Sequence, residues 1–125
     1  VNLLGLKVQR DMLEEGDFIE EILGLKDVKV RTVKLSADEG CIVELLHYLS
    51  PEHVREAKKK EMPEIGASHV AFTVDDVDKE YDKLIKEGVM FNCPPKISID
   101  GKAKVTYCFD PDGTPIELVQ IIKNV

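Results

Sequence analysis

Residues 103–122 read AKVTYCFDPDGTPIELVQII. Two runs rich in β-branched and aromatic residues flank the segment DPDG at 110–113, and Pro, Asp and Gly are the residues that tight turns favour. The stretch therefore predicts a β-hairpin. The aspartates of the turn are expected to stabilise it rather than to take part in chemistry.

The stretch KVRTVKLSADEGCIVELLHY at 29–48 has the same layout as this hairpin. Glu44 follows Gly40 by four residues, just as Glu117 follows Gly113 by four residues. A pattern that recurs with a turn glycine and a strand glutamate in register indicates an internal repeat. We therefore expect two similar sheet modules in which Glu44 and Glu117 occupy equivalent positions.

The segment before the second hairpin predicts a strand, a helix and a further strand. SHVAFTV at 68–74 is rich in β-branched and aromatic residues, and an aspartate pair that can cap a helix follows it. Apolar residues then recur at helical spacing between 77 and 85, and Gly88 stands where a left-handed C-cap would end the helix. The run VMF at 89–91 is expected to be the next strand.

The first copy differs from the second at two places. LLGLKV at 3–8 resembles the end of the predicted helix in the second copy, so the strand and most of the helix that open that copy are expected to be absent from this chain. The residue equivalent to His69 would lie about 14 positions before Val1. An insertion at 16–24 is predicted to hold a short helix, with Asp17 as its N-cap and Glu20 completing a capping box.

Length and composition limit the classes of protein that this chain can be. At 125 residues and 43% hydrophobic content, we expect one domain over 1–125, with a truncated first module at 1–49, a linker at 50–66 and the second module at 67–125. A formal net charge of -7 disfavours nucleic acid and anionic membrane surfaces as partners. Uninterrupted apolar stretches are too short to span a bilayer, so a soluble protein is predicted.

The cysteines indicate a reducing compartment. The chain has three, an odd number without the CxxC spacing of redox and zinc motifs. Cys41 and Cys108 stand in apolar strand-like runs, where a buried and reduced thiol is expected. We therefore predict a cytoplasmic location.

Two glutamates inside apolar strands are the strongest sign of chemistry in the sequence. A buried carboxylate is costly unless it is paired, protonated or bound to a cation, although an edge strand would leave it in water. Because the first and last strands of a module meet in one sheet, His69 and Glu117 are expected to point to a common centre. Together with Glu44 they would form a nitrogen and oxygen site for a divalent metal, although His69 could equally be a core or rim histidine.

Other polar residues are weaker candidates. His47 is odd in parity with Glu44 on the same strand, so it should face the other way. His53 lies in the charged linker. Tyr107 could line the same cavity or be a core tyrosine with a hydrogen-bonded hydroxyl.

These residues resemble a known family. HVAFTVDD, DPDGTPIELVQ, LLGLKV and VELLHYLSP are similar to segments of the glyoxalase and bleomycin-resistance group of the vicinal oxygen chelate superfamily, and the resemblance extends over essentially the whole chain. It implies an α+β fold of paired βαβββ modules that form a cup-shaped sheet around a metal or ligand cavity, here without the first strand of module one. It also implies a dimer.

The resemblance also implies a site and a reaction. Glu44, His69 and Glu117 match metal ligands of glyoxalase I, whereas the histidine of the first strand has no counterpart in this sequence. The expected cofactor is a divalent ion, Zn, Ni, Co or Mn. The expected activity is that of a metal-dependent lyase or isomerase of the lactoylglutathione lyase or methylmalonyl-CoA epimerase kind. Such an enzyme moves a proton next to a carbonyl of a thioester or thiohemiacetal substrate through a metal-bound enediolate, with Glu117 as the base.

Two other functions on the same fold stay open. An extradiol dioxygenase would match the segment from Tyr107 to Glu117, but KISIDGK at 96–102 lacks the histidine that its signature requires. A non-catalytic binding or resistance protein would tend to lack ligands at positions 44, 69 and 117. Whichever applies, we expect a homodimer or a longer natural chain, because a module without one strand exposes unpaired backbone and apolar surface around LLGL at 3–6.

Overall fold

The computed structural model of the chain describes residues 1–37, 40–52, 56, 58–66 and 69–123. The chain divides into two compact units, unit 1 at Val1–Glu56 and unit 2 at Ala57–Val125. Unit 1 is an antiparallel sheet with one helix, and unit 2 is a mixed sheet with one helix, so the predicted α+β class is confirmed. In chain order the elements are β1 (Lys7–Glu15), α1 (Asp17–Leu23), β2 (Lys29–Ser36), β3 (Ile42–Ser50), β4 (Val70–Thr73), α2 (Val77–Lys86), β5 (Lys96–Ile97), β6 (Ala103–Phe109) and β7 (Pro115–Ile121).

Unit 1 is a three-stranded antiparallel sheet in the order β1-β2-β3, with α1 inserted between β1 and β2. Its small core forms where α1 lies over one face of the sheet. Ile19 from the helix is buried together with Val28 and Val30, and Leu23 and Tyr48 pack against them. The short predicted helix of the insertion therefore exists because it covers the central strand.

The predicted capping box of α1 is wrong. Asp17 is the first helical residue, and the N-cap position is held by Gly16, which makes no side-chain capping bond. A capping side chain must belong to the residue outside the helix, so Asp17 stands one position too late to act in that way. Gly16 has a φ of 99°, a conformation that favours glycine.

Unit 2 is a four-stranded sheet in the order β4-β7-β6-β5, in which β4 runs parallel to β7 and the other pairs are antiparallel. The amphipathic helix α2 packs against β6 and β7. Asp76 caps the helix by accepting a hydrogen bond from the Lys79 amide, and the predicted apolar stripe buries Val77 and Leu84. On the sheet side Leu118 is fully buried.

The two units share the hairpin that the sequence repeat predicts. The order β1-β2-β3 matches β5-β6-β7, and Glu44 and Glu117 are each the third residue of the last strand. The described part of unit 1 contains no counterpart of β4 and α2. The equivalence of the two glutamates is confirmed by the pairs that close each hairpin, which are Ser36 with Ile42 and Phe109 with Pro115.

The predicted strand at 89–91 is reduced to one isolated bridge between Phe91 and Cys108. The strand at the edge of the sheet is instead β5, only two residues long. Pro94 and Pro95 stand between the two places, and proline has no amide hydrogen to donate to a strand ladder. Pairing can resume only after the second proline.

The three cysteines differ in their exposure to solvent. All three are free thiols, and Cys108 is buried as predicted, whereas Cys41 is exposed just before β3 begins, so the expectation for Cys41 is wrong. Burial raises the pKa of the Cys108 thiol to about 11. Cys108 is therefore protonated and unreactive at neutral pH.

The described part of the predicted linker at 50–66 lies partly against unit 2 rather than in solvent. The Lys60 amide donates to the Gly113 carbonyl at 2.9 Å, and the Lys59 ammonium lies 4.7 Å from the centroid of the Phe109 ring. Gly113 has a φ of 86°, and a Cβ at this position would overlap the Lys58 carbonyl. The glycine thus permits both the turn and the close approach of another backbone segment.

No helix among the described residues has the length and apolar character needed to cross a bilayer.

The core of unit 2 depends on the contact between α2 and β7. We expect Leu118→Ala to lower the free energy of unfolding by about 2–5 kcal/mol, because it removes a fully buried side chain and leaves a cavity. Ile85→Ala is the control. Ile85 lies on α2 but is 44% exposed, so its substitution should change stability much less. Urea unfolding followed by circular dichroism measures both. Equal effects of the two substitutions would contradict this account of the core.

Candidate functional site

A cluster of three polar side chains lies on the face of unit 2 opposite α2. Tyr107 on β6 pairs directly with Glu117 on β7, and Ala71 of β4 is the partner of Glu117 on its other side. Because side chains alternate along a strand, Leu118 points to the helix while Glu117 points away from it. His69, two residues before Ala71, reaches the same face and contacts both Tyr107 and Glu117.

The three side chains are in hydrogen-bonding range of one another. His69 Nε2 lies 3.2 Å from Glu117 Oε2 and 3.3 Å from the Tyr107 hydroxyl oxygen. The imidazole and phenol rings meet edge to face, with centroids 5.2 Å apart. The side chains of His69 and Glu117 are 31% and 21% exposed, so the cluster is partly shielded and still open to a small molecule.

The acceptor chemistry of the carboxylate limits the hydrogen bonds in the cluster. An ionised carboxylate only accepts hydrogen bonds, so the contact between His69 and Glu117 is a hydrogen bond in the tautomer whose Nε2 carries the proton. In that tautomer the Tyr107 oxygen accepts from the same N–H group. A metal ion bound at Nε2 would take the place of this proton.

Burial and the neighbouring carboxylate both raise the pKa of Tyr107. Desolvation raises the pKa of the Tyr107 hydroxyl above its usual value, and the negative charge of Glu117 together with a hydrogen bond to it raises the pKa further. The phenol is therefore neutral across the physiological range and available as a hydrogen-bond donor or acceptor.

Glu44 lies in unit 1, directly opposite Lys34 on β2, and Lys34 Nζ approaches Glu44 Oε2 to 3.5 Å. Its side chain is 45% exposed, and Ile42 and Leu45 beside it are also exposed. The expectation that this run belongs to a core is wrong for β3. The strand lies at one edge of its sheet, and its glutamate is exposed to water, which is the alternative given above for a glutamate in an apolar strand.

The other histidines are outside these arrangements. His47 is exposed and pairs with Arg31, whereas Glu44 pairs with Lys34, so the two residues lie on opposite faces of the sheet as predicted. His53 falls outside the described residues.

The donors of unit 2 fit two positions around one divalent ion. Zinc bonds of about 2.0–2.2 Å at tetrahedral or octahedral angles separate neighbouring donors by about 3–3.5 Å, and His69 Nε2 and Glu117 Oε2 are 3.2 Å apart. Within the described ranges, no cluster of three or more His, Cys, Asp or Glu side chains forms a complete site. Further ligands would have to come from elsewhere, and Glu44 is the predicted one.

Unit 1 has a cleft that sequence reasoning missed. It is an open cavity of about 600 Å³ between α1 and the sheet face that carries Glu44, and we call it the α1 cleft. Arg10, Thr32 and Lys34 contribute polar groups to its lining. The alternation of polar residues along β2 was the signal in the sequence, but the register that brings Arg10 to this face could not be deduced from it.

Comparison with known proteins identifies the family. A profile of the Glyoxalase/Bleomycin resistance protein/Dioxygenase superfamily matches residues 3–118. The chain belongs to this superfamily. Members of the superfamily commonly bind divalent metals and small molecules, and many form dimers.

Individual members of the superfamily resemble the chain to different extents. The uncharacterised Bacillus subtilis protein YwkD is 31% identical over 87 residues, which are 69% of this chain and 63% of that protein, so the chain spans less than two thirds of this relative. A glyoxalase family protein from Bacillus cereus has a TM-score of 0.86 at 21% identity, covering 98% of this chain and 82% of that one. The fosfomycin resistance protein FosX from Listeria monocytogenes has a TM-score of 0.57 at 15% identity, covering 97% and 77%. These two structures share the superfamily fold with the chain.

The contact between Tyr107 and Glu117 makes a testable prediction. Glu117→Gln removes the negative charge that opposes phenolate formation, so the pKa of Tyr107 should fall toward the ordinary tyrosine value while desolvation keeps it somewhat raised. NMR titration of tyrosine labelled at Cζ measures the shift. Asp82→Asn, an exposed carboxylate on α2, is the control and should leave Tyr107 unchanged. A Tyr107 pKa that does not respond to Glu117→Gln would contradict the geometry.

Proposed function

We propose that this superfamily member is a metal-dependent lyase or isomerase that moves a proton next to a carbonyl group. Its reaction would be of the lactoylglutathione lyase or methylmalonyl-CoA epimerase kind. The observation that carries this proposal is the pair formed by His69 and Glu117, an imidazole nitrogen and a carboxylate oxygen 3.2 Å apart on the open face of a sheet. The equivalent position of Glu44 in the other unit supports it.

In this proposal His69, Glu117 and Glu44 hold a divalent ion, Zn, Ni, Co or Mn. Imidazole and carboxylate donors suit these borderline metals. When bound, the ion supplies a Lewis acid that polarises a carbonyl oxygen of the substrate. The substrate class is a thioester or thiohemiacetal, in which the carbon beside the carbonyl carries the proton that moves.

Glu117 is the proposed base. The neutral Tyr107 hydroxyl stands directly opposite Glu117 and can hydrogen-bond to its carboxylate, which supports proton acceptance there. In the metal-bound site Nε2 of His69 would be a ligand, so Tyr107 would be the group that holds the carboxylate in place on the sheet. The partial burial of Glu117 limits competition from water.

The proposal is tested by removing the basicity of Glu117 while its shape is kept. Glu117→Gln should weaken Mn²⁺ or Zn²⁺ binding about tenfold or more, and should lower turnover of a 2-oxoaldehyde thiohemiacetal or an acyl-CoA epimer by at least about 10²-fold. Calorimetry measures metal affinity, and loss of deuterium from labelled substrate measures proton transfer. His47→Ala is the control, because His47 is exposed on the other face of β3 and should leave both quantities unchanged.

Two results would favour other functions. Metal binding with no proton exchange for either substrate class would favour a binding or resistance protein on the same fold. Metal binding that is unaffected by Glu117→Gln would contradict the proposed ligand set. It would also count against an extradiol dioxygenase, which would use Glu117 as a ligand too.

We also propose that the chain acts as a cytoplasmic homodimer built from a first module at 1–49 and a second at 67–125. Supporting this, Ile42, Leu45 and Leu49 are exposed along β3, an apolar strand at one edge of its sheet. Light scattering should give twice the 14.0 kDa chain mass at micromolar concentration, because burial of this strand favours association. A stable monomer across that range would contradict the dimer.

A further inference from the structure

The helix that forms one wall of the α1 cleft stands in a connection that is short in unit 2. The equivalent connection in unit 2, between β5 and β6, is the short turn at 98–102, whereas β1 and β2 are joined through residues 16–28. The insertion places α1 on the sheet face that carries Glu44. In unit 2 the helix α2 covers the face opposite Glu117. The cleft is therefore an addition to the repeated sheet, on the same side as the repeated glutamate.

The floor of the cleft consists of two rows of side chains that run across the three strands. Register pairs Arg10 with Lys34 and Lys34 with Glu44, which gives a charged row. The next row pairs Met12 with Thr32 and Thr32 with Leu46 and is apolar apart from one hydroxyl. A molecule that lies along the strands would therefore meet charge at one end and apolar side chains beyond it.

Alternation along β1 places Arg10 on this face together with Met12 and Glu14, because the register with β2 is unbroken from Arg10 to Glu15. A β-bulge lies directly before Arg10. The pairing of β1 with β2 shifts between Val8 and Arg10, and Gln9 within the bulge donates a hydrogen bond to Ser36 Oγ at 2.6 Å. The bulge turns Val8 to the other face of the sheet, and such bulges are common beside functional sites.

The register of β1 with β2 places two cations next to each other in a chain of net charge -7. Arg10 and Lys34 are direct cross-strand partners, and like charges at such positions destabilise a sheet. Glu44 compensates the charge of Lys34, at 3.5 Å, and not that of Arg10. The carboxylates of Glu14 and Glu15 also line the cleft, but these residues lie four and five positions along β1 from Arg10, about 13–17 Å away. An anion at the Arg10 end would relieve the repulsion.

A buried hydroxyl in the floor is unsatisfied. Thr32 is 3% exposed, and its Oγ1 has no hydrogen-bond partner within the part of the chain that the structure describes. An unpaired buried hydroxyl is unfavourable for folding by about 1–3 kcal/mol. Phe18 and Ile22 of α1 line the same cleft and are 75% and 67% exposed, which leaves an apolar wall uncovered.

We propose that the α1 cleft binds the distal part of the substrate, and that this part is a carboxylate carried on an aliphatic arm. The carboxylate pairs with Arg10 and Lys34, since a guanidinium matches a carboxylate with two parallel hydrogen bonds. The arm lies over Met12 and Leu46 beneath the helix. This inference rests on the proposed function, because it takes Glu44 at the end of the charged row to be part of the reacting site.

The test uses hexanoate, hexanol and hexylammonium as probes in NMR titrations of the full chain with a chelator present. Hexanoate should shift the amide signals of the cleft residues Arg10, Met12, Thr32, Lys34 and Leu46. Hexanol should bind more weakly, since it has the arm without the charge, and hexylammonium should not bind. Because no metal is needed, this binding test does not depend on the proposed reaction. If hexanoate binds in the cleft but the protein shows no proton transfer, the proposed reaction is wrong and the proposed carboxylate site stands.

Variants separate charge from folding. Arg10→Gln should raise the Kd for hexanoate about tenfold, whereas Arg31→Gln should leave it unchanged, because Arg31 lies on β2 on the opposite face and pairs with Asp11. Thr32→Val should leave hexanoate binding unchanged, because an alkyl arm makes no hydrogen bond to the hydroxyl, and should leave the chain as stable as before or more stable. The proposal is overturned if hexanol binds as tightly as hexanoate, if hexanoate shifts no cleft residue, or if Arg10→Gln and Arg31→Gln have equal effects.

Discussion

The pairing of β6 with β7 determines which side chains of unit 2 are buried against α2 and which form the cluster around His69. It sets Leu118 opposite Thr106 on one face and Glu117 opposite Tyr107 on the other. The fully buried Leu118 holds the sheet to α2, and a shift of register by one residue would move Glu117 into that core. The same apolar contact that stabilises the unit therefore also keeps a carboxylate, a phenol and the imidazole of His69 together on the open face.

Unit 1 uses the same hairpin for a different arrangement. Its helix lies on the glutamate side of the sheet, because the chain inserts α1 between β1 and β2. The side of β2 that bears Val30 and Thr32 is consequently part core and part cleft. A repeated sheet thus gains a second kind of surface when one connection is lengthened, without a change in strand order.

The sequence predicts those features that depend on local spacing. The hairpin repeat, the helix stripe from Val77 and the meeting of His69 with Glu117 all follow from periodicity and strand order, and the structure has them. Features that depend on register or on a distant segment are different. The bulge before Arg10 leaves no clear mark in the sequence, and the approach of Lys58 to Gly113 joins segments that are far apart in the chain. The strand at 89–91 fails because two prolines end its pairing after one bridge.

The two equivalent glutamates differ in the residue that register places opposite them. Lys34 stands opposite Glu44 and Tyr107 stands opposite Glu117. The ammonium group of Lys34, 3.5 Å away, compensates the charge of Glu44, which suits its proposed role as a ligand rather than a base. A phenol kept neutral, by burial and by the carboxylate charge itself, can only share hydrogen bonds and leaves that charge free to accept a proton. This difference in one cross-strand partner is the physical reason for proposing Glu117, rather than Glu44, as the base.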